Sequence, residues 1–210
     1  MAEQQQQQQQ EEEEDDEQQQ QPTTTTTELD APAAGRTRTG RAAALARLLH
    51  LECTRLLQLY KERETFLLDH TPDSGRIVSL SPDSEEPSTE EKVQWLHSAL
   101  RQCLGLLHCV IHKEEEEWGE LEGDYEAMRK SVQARLEYLL HSTKDLLQTE
   151  SGTLEVTPDH RCDEETDGAG GAFGLKMWTY RVLLELIHWA DHAAQTLHIL
   201  HTEREGTEEI

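Results

Sequence analysis

The chain has 210 residues, 35% of them apolar but only 5% aromatic, and a formal net charge of −24. Once a low-complexity head is set aside, that length allows one domain with a sizeable core, and its Leu-rich, aromatic-poor apolar content suits helix-on-helix packing better than a β-sandwich. The first forty residues carry −8, from ten acidic and two basic side chains, and the remainder carries −16, a balance that excludes nucleic acid as a natural partner.

Residues 1–40 join glutamine tracts, an acidic run, the threonines Thr23 to Thr27 and Pro/Ala/Gly-rich sequence. Such a composition buries too little apolar surface to fold, so a disordered head is expected. Its acids lack the interleaved apolar residues of an activation segment. Met1-Ala2-Glu3 and the glutamines that follow supply neither a basic n-region nor an apolar stretch, so no secretory signal is readable. No run approaches a membrane span, and membrane insertion is not expected. If the protein acts outside cells, the expectation is a cytoplasmic protein released without a signal peptide.

The first predicted helix covers residues 42–69, with Leu45, Leu49, Cys53, Leu56, Tyr60 and Leu67 on one face. Thr71-Pro72-Asp73-Ser74-Gly75 cannot continue it. The linker runs on to Pro87, far beyond the usual helix–helix connection of about 2–8 residues. Ser88 and Glu91 form a capping-box pattern ahead of a second stripe, Val93, Leu96, Leu100, Leu104, Leu107 and Ile111. Glu114 to Glu117 read as a solvated helix end, which Trp118-Gly119 closes. Tyr125, Met128, Val132, Leu136, Leu139, Thr143 and Leu146 predict a third helix over 124–147. A polar, acid-rich connection over 149–171 reads as a flexible linker. The last helix, 172–201, has the most regular stripe: Leu175, Trp178, Val182, Leu186, Trp189, Ala193, Leu197 and Leu200. Trp178 and Trp189 belong to the core on this pattern, and 202–210 form a short acidic tail.

The short connection between the second and third helices makes them antiparallel neighbours, while the two long linkers can each span the molecule. The expected fold is all-α: a long-chain four-helix bundle over 41–201, up-up-down-down, with two long crossover connections.

The sequence carries no pattern expected of catalytic, metal or phosphate-binding chemistry. His108/His112 and His188/His192 are i,i+4 pairs of the kind that ligate zinc, but no HExxH pattern joins them and the cysteines lack metal-ligand spacing. The run Gly168-Ala169-Gly170-Gly171 fails as a phosphate loop, because no strand precedes it and Asp163, Glu164, Glu165 and Asp167 would repel an anion. There is no GxSxG elbow. No enzyme, metal or cofactor is expected. Cys53, Cys103 and Cys109 fall in helical patterns and Cys162 in a loop. Cys103 and Cys109 lie about 120° apart around one helix and cannot bridge each other, so reduced thiols are expected.

Phe173 and Lys176 remain unexplained by these patterns. An apolar ring and a cation in the first turn of a helix are poorly placed for stability, since the ring is off the buried stripe and the cation opposes the helix dipole. That makes them candidates for contact with a partner.

Gly170-Gly171-Ala172-Phe173-Gly174-Leu175-Lys176-Met177-Trp178, then Val182 to Trp189, and Glu122-Gly123-Asp124-Tyr125 before the third helix, resemble the four-helix cytokines related to interleukin-six. The resemblance covers about residues 42–201. It implies that Phe173 and Lys176, flanking Gly174, match the family's F-x-x-K contact with the leukaemia inhibitory factor receptor. Exposed faces of the first and third helices would bind the shared signal-transducing receptor chain. A non-signalling alpha receptor would meet the end of the first linker and the late part of the last helix. His192 and His198 stand there in place of the family's arginines, and the tryptophan expected ahead of the second helix is missing. The resemblance further implies a monomeric growth factor stored in the cytoplasm, whose receptors drive a kinase and transcription-factor cascade supporting neurons and glia. The alternative is an intracellular helical-bundle adaptor docking a basic protein partner.

Overall fold

The computed structural model describes residues 31–65, 75–79, 87–147, 154–163 and 167–206, with side chains from residue 38 onward. Among these residues there are four helices, α1 (Ala31–Arg63), α2 (Thr89–Trp118), α3 (Asp124–Leu147) and α4 (Gly171–Gly206), and no strand. The fold is the all-α four-helix bundle that the apolar stripes predict. Residues 1–30 of the expected head, Leu67 and the end of the tail from 207 lie outside the described residues.

Three boundaries differ from those expected. α1 begins at Ala31 rather than 42, because alanines and a proline in the first turn are good starting residues for a helix even within a low-complexity context. Its early turns also have a partner: Thr39 is fully buried, with Oγ1 3.5 Å from His201 Nδ1. At the other end α1 stops at Arg63 instead of 69, and α4 continues past 201 to Gly206. The α2 boundaries match their signals. Ser88 Oγ accepts from the Glu91 N–H at 3.2 Å, the Ser88 N–H donates to Glu91 Oε2 at 2.7 Å, and Gly119 caps the far end.

The stripes meet in one core, in which Leu56, Leu96, Leu107, Leu136, Leu139, Val182 and Leu197 are fully buried and Trp178 and Trp189 nearly so. Each such side chain stabilises the fold by about 1.5–3 kcal/mol relative to exposure. Contacts between helix ends give the directions. At one end Arg63 of α1 meets Glu114 of α2, Glu114 meets Arg129 of α3, and Tyr60 of α1 donates to the Lys176 carbonyl of α4. At the other, Thr39 lies against His201, Thr89 donates to Glu203, and His97 bonds Thr143. Thus α1 and α2 point one way and α3 and α4 the other. The expected crossover connections between them fall partly outside the described residues.

Where the connections are described, they are pinned. Residues 75–79 lie on α4: Arg181 donates to the Gly75 carbonyl at 3.3 Å, the Ile77 N–H donates to Glu185 Oε2 at 3.4 Å, and Val78 is buried. Residues 154–163 and the turn at Asp167 follow a row of α2 residues spaced by four. His97 Nε2 lies 2.7 Å from the Glu155 carbonyl, Arg101 donates to the Thr157 carbonyl, and the Arg101 carbonyl accepts from the Asp159 N–H. The His160 backbone sits on Gly105, where a Cβ would come within 2.5 Å of the His160 nitrogen. Lys113 then donates to the Asp163 and Asp167 carbonyls. This strap replaces the flexible linker expected from composition, which registers acidity but not a matching row four residues apart on a distant helix.

The strap also corrects the cysteine reading. Cys162 is carried over the next α2 position in that row, Cys109, and the two are joined by a disulfide with Cα atoms 5.3 Å apart. Cys53 and Cys103 are free and buried, and burial pushes both thiols up. A second correction concerns the acidic run. Glu114 is fully buried rather than solvated, because α3 delivers Arg129 to it at 2.7 Å and α1 delivers Arg63 at 2.8 Å.

Candidate functional site

Ahead of α4 the backbone turns through Gly168, Gly170 and Gly171, all at positive φ, a region side-chain-bearing residues seldom adopt. Gly174 has an added requirement, since a Cβ there would fall on the Ala169 carbonyl oxygen. The tight turn therefore explains Gly174 without any partner, while it swings Phe173 outward: the ring is 56% exposed at the start of a long helix.

Lys176, one turn later, is half-buried. Its ammonium lies 2.6 Å from Glu64 Oε2 and 5.5 Å over the Trp118 ring. Behind it runs a row of alternating charges. Glu64 meets Arg63 at 3.1 Å, Arg63 meets Glu114, Glu114 meets Arg129, and Arg129 reaches Glu126. Tyr60 and Tyr125 lie among them, their phenols pushed up by burial and by the Glu114 carboxylate, so both stay neutral and Tyr125 donates to Glu114 at 3.0 Å. Burial, the largest single influence, would lower the Arg63 pKa, but the groups around it, Glu114 foremost and Glu64 with it, together outweigh burial and the net shift is upward. Such low-dielectric pairs hold a single arrangement more firmly than exposed ones. Lys176 is thus positioned from inside the bundle. Glu64 escaped the sequence reading because its only signal, an acid beside Arg63 at a helix end, says nothing about a lysine more than a hundred residues away.

His192 and His198 stand about 24 and 33 Å beyond Lys176 at ~1.5 Å per residue of α4, so the structure does not bring them to the same place. His192 packs its ring 5.0 Å from Trp95 and 5.6 Å from Trp189, and stacks on His188 at 6.4 Å. Burial first, then His188, lowers its pKa. His198 is exposed. Trp95, missed earlier because it falls off the α2 stripe, fills the space beside these rings. Outer faces of α1 and α3 expose Leu48 (47%), Leu51 (63%) and Tyr138 (65%). Glu52 and Arg135 tie those two helices together by bonds of 2.6 and 2.7 Å.

No helix of the described residues is long and apolar enough to cross a membrane. Phe173 and Lys176 together place an exposed apolar ring one turn from a braced cation. No family model matches the chain. It is similar to the ciliary neurotrophic factor of Rattus norvegicus, 22% identical over 175 residues that cover 81% of this chain and 86% of the relative. It is equally similar to the ciliary neurotrophic factor of Mus musculus, 22% identical over 175 residues, 81% of this chain and 87% of the relative.

Proposed function

We propose that the protein is a neurotrophic helical cytokine, without enzymatic activity, that assembles a receptor complex of the leukaemia inhibitory factor receptor type. Distant similarity to ciliary neurotrophic factor over most of both chains and the four-helix bundle support the cytokine reading. The observation that carries the site is the exposed Phe173 ring, one turn from a lysine braced on Glu64. The ring enters a pocket on the receptor and the lysine meets an acid at its rim. The shared signal-transducing chain takes the outer faces of α1 and α3, where Leu48, Leu51 and Tyr138 supply apolar contact. An alpha receptor would meet the region of His192 and His198, and the kinase and transcription-factor cascade follows from bringing the signalling chains together.

Phe173→Ala is the direct test, read as binding to immobilised leukaemia inhibitory factor receptor ectodomain alongside thermal unfolding. The ring leaves little of the core when truncated, so melting stays within a degree or two, while affinity drops by about 30-fold or more, the loss of a hot-spot anchor of at least about 2 kcal/mol. Unchanged affinity in the folded variant removes Phe173 from the interface.

A further inference from the structure

The Cys109–Cys162 crossing contains more than two sulfurs. His160 Nε2 lies 2.6 Å from Asp167 Oδ2, and Cys109 Sγ lies 3.9 Å from that same carboxylate oxygen. The ligand atoms of Cys109, His160 and Asp167 all fall within 4.8 Å of one another. Cys162 is bonded to Cys109 and so brings a fourth donor to the same spot. Two sulfurs, one imidazole and one carboxylate form the donor set of a tetrahedral zinc site, whose ligand atoms stand about 3.3–3.8 Å apart for metal bonds of ~2.0–2.3 Å.

The surroundings hold these donors in place. His160 is fixed by its backbone on Gly105, where even a methyl group would collide. Asp167 is 6% exposed, its Oδ2 accepts from the Asp163 N–H at 3.0 Å, and its own N–H donates to the Asp163 carbonyl at 2.9 Å. The Lys113 ammonium binds the Asp163 and Asp167 carbonyls. Two thiolates and a carboxylate around a dication leave one net negative charge, and Lys113 stands beside it to balance it. Cys162 is exposed, so a reductant and a metal can both reach it.

We propose that Cys109, His160, Cys162 and Asp167 bind one zinc ion when the disulfide is open, so that the strap over α2 has two alternative fastenings, a disulfide and a metal. In the opening step a dithiol reductant attacks the S–S bond and is itself oxidised to its disulfide, leaving Cys109 and Cys162 as thiols. Zinc then displaces their two protons and takes both sulfurs as thiolates, with His160 neutral and Asp167 ionised. The two fastenings exclude each other because both use the same pair of sulfurs. This inference is independent of the receptor reading and does not depend on Phe173.

The test uses the full chain, reduced with dithiothreitol, desalted without oxygen and titrated with Co2+ as a spectroscopic substitute for zinc. The expected result is one cobalt per chain with a thiolate-to-metal charge-transfer band and tetrahedral d–d bands, both abolished by one equivalent of Zn2+, and a higher melting temperature with metal than without. His160→Ala and Cys162→Ser change only the exposed or half-exposed side of the strap, and far-UV circular dichroism checks that the helices remain. Each should weaken cobalt binding on the order of tenfold or more, with Cys162→Ser also losing about half the charge-transfer intensity. A reduced protein that forms no one-to-one complex overturns the proposal. So does equal binding by the oxidised protein, or a cobalt spectrum unaltered in Cys162→Ser, which would put the metal elsewhere.

Discussion

Lys176 and Phe173 sit one turn apart, but the structure gives them different work. The lysine shares Glu64 with Arg63 and lies over Trp118, so removing it strips one of two cations from a carboxylate that is itself almost buried. Lys176→Ala should therefore lower stability by about 1 kcal/mol, the loss of a partly buried charged hydrogen bond with a second cation still in place. Phe173→Ala should change it by less than about 0.5 kcal/mol. Urea unfolding of both variants decides the point, and a Lys176→Ala midpoint equal to wild type would show that Glu64 does not need it. A loss of receptor binding in Lys176→Ala must accordingly be judged against its stability, whereas Phe173→Ala reports the surface directly. The residue pattern alone could single out both side chains as ill-suited to a first turn. It could not separate them, because the difference is made by Glu64, just past the end of α1, and by Trp118 of α2.

At the scale of elements, the strap over α2 is held by a row of His97, Arg101, Gly105, Cys109 and Lys113, and its first fastening is a titratable imidazole. The Glu155 carbonyl can only accept, so His97 Nε2 carries the proton and donates at 2.7 Å, while Nδ1 lies 2.8 Å from the Thr143 hydroxyl. Burial first, with Arg101, Lys144 and His141 nearby adding to it, lowers the His97 pKa below its ordinary 6.5. The folded state then resists a proton that the unfolded chain accepts at about pH 6.5, so the stability is fully present above that pH and is lost as the pH falls through the interval below it. The slope is at most about 1.4 kcal/mol per pH unit for one such group. His188 and His192 shift the same way. Melting temperature should therefore fall between pH 7 and 5, and His97→Gln should show a shallower fall than wild type, whatever its absolute stability. An identical slope would mean that His97 is protonated in the folded protein. The four helices themselves were legible as apolar stripes because each is amphipathic on its own. The strap was not, since its extended backbone has no periodic signal and its partners are spaced for a helix elsewhere in the chain; the disulfide was missed for the same reason.

For the whole molecule, the end of the bundle that carries Phe173 and Lys176 is organised around Glu114, a carboxylate with no exposure that receives Arg129, Arg63 and Tyr125 from two other helices. Ion pairs this deep seldom add net stability over an apolar replacement, because desolvating both charges offsets their attraction. Breaking one is another matter. Arg129 is 1% exposed and also reaches Glu126, so Arg129→Met leaves the buried Glu114 with Arg63 alone and Glu126 with only the exposed Lys130, at the point where α1, α2 and α3 converge. The expected loss is about 3–5 kcal/mol, a large share of the stability of a domain this size, measured as a lower urea midpoint with an unchanged slope. The same charge row ends on Lys176, so the variant should also loosen the α4 entrance: amide exchange of residues 173–178 should quicken relative to the middle of α4. Faster exchange confined to α3 would show that the row holds the bundle end together without bracing the Phe173 surface, and wild-type stability would show that Arg63 alone suffices to neutralise Glu114.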